Sequence, residues 1–330
     1  MDRLAKRTGL RIKHKKLMEE IIKPIDKELL KAELTEDKFL RETNVGGNSI
    51  YLITAHDSPN TMLEIGRLRE LTFRTAGGGT GLEVDIDDYD TAPVPFKQLL
   101  VWNREREEIV SSYRFILCKD VPLDENGYPH TPTSKLFKLS PKFIENQWLE
   151  SIELGRSFVQ PKYQGTTNPR LGLFSLDNLW DGLGALSVDY PEAKYFFGKM
   201  TMYDSYNRLA RNWILAFLQK YFKGDDELVT PFHPVSTDKG MQVFRSLFQH
   251  NTFKEDFRSL NENIRDLKES IPPLIKSYMS LSSTMQCFGA SANPEFGPVE
   301  EIAILITIAD IYEEKRKRHV LSYTKKQRPL

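Results

Sequence analysis

The order in which apolar runs change period most constrains this chain. Ser49–Ala55 (SIYLITA) is short, apolar and flanked by turn residues, and so predicts a buried strand. Asn60–Ala76 repeats Ile65, Leu68, Leu71 and Thr72 on one helical face and stops at Gly77–Gly79. Four strand candidates follow, at Phe96–Asn103, Ile109–Leu117, Lys135–Leu139 and Ser151–Val159. Helices over Leu171–Ser187 and Ser205–Phe222 bracket a strand at Lys194–Thr201. Two late strands lie near Ser283–Phe288 and Glu301–Ala309. A run of strands between helices, without βα alternation, excludes a doubly wound sheet and predicts an α+β (mixed α/β) fold.

Before this core, residues 17–42 read as helix with a break at Pro24, ahead of the turn-rich joint Asn44–Asn48. The expected organisation is a basic helical extension over 1–48, one domain over 49–312 with a polar helical insertion at about 225–270, and a basic tail over 313–330. The net charge is zero, yet residues 1–16 hold seven Lys/Arg and residues 315–330 another seven. Basic ends on an acidic body suit an anionic partner, such as lipid headgroups or an acidic carrier protein; frayed, solvated termini explain the pattern equally well. Nucleic acid is not expected, because the basic runs lack interleaved aromatics. The longest apolar stretch, Ile302–Ala309, falls well short of the roughly 20 residues of a membrane span. With no apolar leader and two distant cysteines, Cys118 and Cys287, the expected setting is cytoplasmic.

The densest chemistry lies in Arg67–Asp90 (RLRELTFRTAGGGTGLEVDIDDYD), where arginines border an apolar stripe and the helix runs into GGGTG. Without a preceding strand or a GK[ST] ending this is no P-loop, and Asp85–Asp90 lacks the Gly and Glu of an EF-hand. Carboxylates beside arginines make either a structural ion-pair network or a site for an amine and a carboxylate. In Ser151–Val159, Glu153 and Arg156 put charge into a central strand, and Gly155 suggests a bulge that brings the two together. No histidine pair has metal spacing and no nucleophile elbow occurs, so no metal and no covalent intermediate are expected.

Arg69-x-x-x-Phe73-Arg74, the Asp85–Asp90 run, Tyr113-Arg114-Phe115 and Glu153-Leu-Gly-Arg-Ser-Phe-Val159 together resemble one family. It is the acyl-carrier-protein-dependent N-acyltransferases of bacterial aminolipid synthesis, often labelled hemolysins. They have the GCN5-related N-acyltransferase fold, near the acyl-homoserine-lactone synthases. The resemblance extends to Pro272–Leu281 and Asn293–Gly297, in the family's order. It implies a central, mostly antiparallel sheet that splays open, flanked by helices.

It also implies roles. Glu153 would be the base acting on the amine, with Arg156 beside it. Arg69, Phe73 and Arg74 would line the entrance, Asp85 and Asp88 would organise the substrate loop, and Arg114 would lie on the second long strand. The donor implied is an acyl-carrier-protein thioester carrying a fatty (3-hydroxy) acyl group. Gln160-Pro-Lys-Tyr-Gln-Gly165 has one glycine where CoA-using relatives have a glycine-rich pyrophosphate loop, which disfavours acyl-CoA. No bound cofactor is implied. The acceptor leans to glycine, with ornithine as the alternative, and peripheral contact with the inner membrane face would suit the basic ends. From another class, a non-catalytic lipid- or membrane-binding module remains open, whereas a pore former would need amphipathic hairpins or a long apolar helix that the sequence lacks. The aromatics around Phe174–Leu186 and Trp213–Phe222 fit either an acyl tunnel or plain core.

Overall fold

The computed structural model describes residues 18–165, 169–235, 248–250 and 252–325. Helices α1 (Lys27–Glu33) and α2 (Pro59–Ala76) accompany strands β1 (Phe39–Glu42) and β2 (Asn48–Ile53). Strands β3 (Lys97–Asn103), β4 (Glu108–Leu117), β5 (Phe137–Leu139) and β6 (Ser151–Val159) come next, then α3 (Pro169–Asp189), β7 (Tyr195–Tyr203) and α4 (Arg208–Tyr221). The chain continues through β8 (Val229–Pro231), α5 (Phe253–Asp266), α6 (Pro273–Met279), β9 (Gln286–Asn293) and β10 (Val299–Thr307).

Eight strands form one sheet in the order β1-β2-β3-β4-β6-β7-β10-β9, while β5 and β8 pair separately. Every neighbouring pair in the large sheet is antiparallel except β6–β7, which is parallel and registers only from Ser151↔Tyr195 to Leu154↔Gly198. Beyond that point β6 stays with β4 and β7 stays with β10, so the sheet splays as expected. Gly198 marks the parting: a Cβ there would sit 2.7 Å from the Leu154 carbonyl oxygen. The outer edge of β9 is covered by residues 233–235, through the Val235 and Ala292 amides.

One sheet face packs on α3, α4 and α6, with Leu183, Leu186, Ile214 and Phe217 in a common apolar core. Amphipathic α5 seats Leu260 and Ile264 in that core, and Phe253 and Phe257 meet Phe217. The opposite face carries two smaller apolar clusters, one around α2 and one under the 118–148 loops. Buried polar side chains fill the stretch between them.

The strand and helix expectations hold to within a few residues except near the start. The helix expected over 17–42 is confined to Lys27–Glu33, and Phe39–Glu42 is instead the sheet's edge strand. Pro24 blocks an earlier start, and FLRE finds backbone partners on β2 that outweigh its helical charge pattern. The sheet therefore begins inside the segment read as an extension, and Glu33 caps α2 by accepting from the Asn60 and Thr61 amides. Residues 1–17, which hold the first basic run, lie outside the described residues. Among the described residues no helix is long and apolar enough to cross a membrane.

Candidate active site

The polar stretch starts at α2. Arg69 and Phe73 lie one turn apart on its buried face. The Arg69 guanidinium is shut off from solvent and donates to Asp90 (2.9 Å), to the Gln98 amide oxygen on β3 (2.6 Å) and to the Asp85 carbonyl (3.3 Å). Asp90 is fixed by local chemistry: Asp87 caps a single helical turn, Asp88–Thr91, and Asp90 reaches back to accept from the Asp87 amide at 3.2 Å. Arg114 on β4 joins the same carboxylates, at 2.7 Å from Asp87 and 3.1 Å from Asp90. Burial alone would push the Asp90 carboxyl up; the two guanidiniums outweigh it and hold the group well below the usual carboxylate range.

Arg156 closes the network from β6. Between Gly155 (opposite Arg114) and Phe158 (opposite Ser112) β6 carries one extra residue, a bulge. Arg156 itself takes the left-handed conformation, φ +49°. That geometry costs a non-glycine residue on the order of 1–3 kcal/mol and belongs to sites where the chain must re-aim a side chain. Here it turns Arg156 to the side of Glu153, with its Nε 2.9 Å from Asp85 and its guanidinium 4.2 Å over the Phe296 ring. Phe73 meets Phe296 edge-on at 5.1 Å, so α2 braces the arginine through an aromatic. Gly155 has ordinary φ and ordinary space, so the bulge is displaced one residue from the glycine that suggested it.

Glu153 sits two residues before Gly155, 1% exposed. Its Oε1 accepts the Thr133 amide at 3.1 Å, while Oε2 has no hydrogen-bond partner. Burial pushes this carboxyl up, opposed by Thr131, Thr133 and the Lys199 ammonium. Tyr89 lies close enough for Asp87 and Glu153 to add to the effect of burial, and its phenol is pushed up to about 12. Across the splay, Tyr203 is likewise raised to about 12 by burial and Glu301, so both phenols keep their protons at neutral pH.

Arg69, Asp85, Arg114 and Arg156 therefore converge with Phe73 beside them; Glu153 lies on the same sheet face but is bonded to the Thr133 amide rather than to Arg156, and two residues of the expected set lie elsewhere. Arg74 leaves the cluster for a second network: with Glu70 it fastens the glycine run, Glu70 accepting from the Thr80 and Gly81 amides at 2.9 and 2.8 Å. Gly79 takes a φ of +97° there, which favours glycine, and a Cβ would also crowd the Glu70 carboxylate at 3.0 Å. Asp88 is exposed at the start of its turn, and Asp87 and Asp90 take the place expected for it. Side chains from distant strands and loops complete the stretch: Gln98, Thr133, Lys199 and Glu301. Lys199 and Glu301 share a face only through the register of β7 with β10, which no local pattern reveals. Among the described residues no three His, Cys, Asp or Glu side chains form a metal site. Trp180 of α3 and Trp213 and Phe217 of α4 pack in the apolar core of the far face, whereas Phe174 is exposed.

A sheet parted beside a buried carboxylate, with strained backbone at the parting, defines a class. Residues 68–173 match the family model described as the acetyltransferase (GNAT) domain, and the fold is that of the GCN5-related acyltransferases. Over 306 residues the chain is 56% identical to the glycine N(alpha)-acyltransferase of Bacteroides thetaiotaomicron, covering 93% of this chain and 91% of that protein. Over 308 residues it is 54% identical to the glycine N(alpha)-acyltransferase of Phocaeicola vulgatus, covering 93% and 94%. The chain belongs to this family of glycine N(alpha)-acyltransferases. The solved structure of FeeM, an N-acyl amino acid synthase from uncultured soil microbes, aligns at a TM-score of 0.40 and 10% identity over 83% of this chain and 97% of that one.

Proposed function

We propose that this chain transfers an acyl group from a carrier-protein thioester to the α-amine of glycine. The observation that carries the reading is the free, buried Oε2 of Glu153 at the mouth of the splay. The acceptor enters as a zwitterion whose ammonium must lose a proton before it can attack. Glu153 takes that proton, directly or through one water. The amine nitrogen then bonds to the thioester carbonyl carbon, the C–S bond breaks, and the thiolate leaves with a proton as free thiol. The bulge leaves β6 backbone outside the ladder, which supplies N–H donors for the oxyanion. Arg156, with 16% of its side chain exposed, holds the acceptor carboxylate, whereas fully enclosed Arg69 and Arg114 hold the loop that positions it.

A pantetheine arm fits the splay because it needs strand backbone that no neighbouring strand occupies. The segment after β6 supports carrier protein over CoA: Pro161–Tyr163 makes one tight turn, and the sequence Gln160–Gly165 carries a single glycine where CoA-using relatives have a glycine-rich loop. The basic runs at the two ends of the sequence suit an acidic carrier protein or anionic lipid headgroups at the inner face of the membrane.

The test is thiol release from 3-hydroxyacyl carrier protein and from the matching acyl-CoA, with glycine, ornithine, serine and alanine. Turnover should be fastest with carrier protein and glycine. Arg156→Ala should raise KM for glycine more than it lowers kcat. Faster turnover with ornithine, or none with any donor, would refute the reading.

A further inference from the structure

On the same sheet face as Glu153, a lysine and a second glutamate are buried without a role in the reading above. Lys199 on β7 has 12% of its side chain exposed and Glu301 on β10 has 4%. The ammonium lies 3.0 Å from the Glu301 carboxylate and donates to the Pro132 carbonyl at 2.7 Å. The next residue, Thr133, gives its amide to Glu153. Pro132 and Thr133 thus present a carbonyl to the cation and an N–H to the carboxylate. Thr131 and Ser134 are buried on either side, and the Thr131 amide donates to the Ser134 hydroxyl at 2.8 Å.

We propose that Lys199 is a positioning residue for Glu153, clamping the Pro132–Thr133 segment so that one carboxylate oxygen is held and the other is left facing the acceptor amine. This rests on the reading of Glu153 as base. The arrangement has an electrostatic side as well. Glu153 is faced by Thr131 and Thr133 from the loop, Tyr89 from the Asp88–Thr91 turn, Cys118 after β4 and Lys199 from β7, with Glu301 behind the lysine. Of these only Lys199 is a cation. Burial works against ionising Glu153, and Lys199 favours the ionised form that accepts the proton. Glu301 shares that cation and so limits its effect.

Two substitutions should therefore move the ionisation of Glu153 in opposite directions. In Lys199→Met the cation is gone and the midpoint should rise by about one pH unit or more, the usual effect of an opposite charge nearby. In Glu301→Gln the lysine has no competing anion and the midpoint should fall. Lys199→Arg should restore the wild-type value. The readout is the protonated-carboxyl band in difference infrared spectra against Glu153→Gln, on the full chain without substrate. Folding is checked by circular dichroism. In parallel, the acidic limb of kcat for glycine acylation should shift with the band, with KM little changed. If Lys199→Met does not fold, the downward shift in Glu301→Gln decides alone. A folded variant of either kind with an unmoved midpoint overturns the proposal. Wild-type enzyme that fails to acylate glycine would instead refute the assigned reaction, and the infrared result would still stand.

Discussion

Two buried carboxylates on this sheet face have opposite surroundings. Asp90 is bonded on both oxygens, by Arg69, Arg114, Gln98 and the Asp87 amide. Glu153 is as deeply buried, yet one oxygen is bare. The direction of the pKa shift follows: Asp90 is held low and Glu153 pushed high. A buried charge with every lone pair satisfied stiffens the fold, whereas one kept partly unsatisfied is stored reactivity. On the proposed reading, the contrast separates residues that hold the site from the one that reacts in it.

The sharpest way to break the contrast is Glu153→Gln. It keeps shape and removes the base, so kcat should fall about 10²–10⁴-fold while stability is retained. As pH rises the deficit should shrink, because more of the amine is already neutral. In the wild type the rate should fall as pH drops through the raised value of Glu153, since the protonated acid cannot accept. Steady-state kinetics from pH 6.5 to 9.5 on both proteins checks this, and a folded, fully active variant would leave Glu153 a structural role.

Arg69→Ala should do the reverse. It strips the principal partner from a buried aspartate and should cost about 3–5 kcal/mol of stability in denaturant unfolding. Acid should narrow the gap. Asp90 has its depressed value only while paired, so its contribution is present above the unfolded carboxylate value and lost as pH falls through the folded one. A variant of unchanged stability would mean that Arg114 and Gln98 suffice.

Phe296→Leu is the finest probe. It keeps an apolar side chain but removes the ring under Arg156 and the edge contact to Phe73. The expected loss is about 0.5–1.5 kcal/mol, read as a several-fold rise in KM for glycine. A change in kcat alone would place Arg156 in the chemical step rather than in holding the carboxylate.

Which residues were legible follows from how they meet. Glu153 and Arg156 stand out because charge in an apolar strand is costly, and Arg69 and Asp85 because arginines and aspartates crowd one short segment. Five residues apart on a helix, Arg69 and Arg74 must leave it in different directions, but the period does not say that one faces β3 and the other the glycine run. Among the four aspartates, choosing Asp87 and Asp90 over Asp88 needs the capping geometry of one helical turn. Lys199 and Glu301 stayed hidden because YFFGKMTMY and VEEIAILIT look like strands with ordinary polar positions. Only the pairing of β7 with β10, about a hundred residues apart, makes them neighbours. FLRE was missed because four residues are too few for a period to declare itself.

The parallel seam between β6 and β7 has one more consequence. It joins a five-strand half-sheet to a three-strand half-sheet through four register pairs, while β10 and β7 share nine. Each half is laced internally by long antiparallel ladders. The molecule is built like a book with a short spine: the two covers are stiff, and the angle between them is set by a few residues around Gly198. On the proposed reading the donor is met at this seam and the amine on the first cover, so the two recognitions fall to separate parts of the fold.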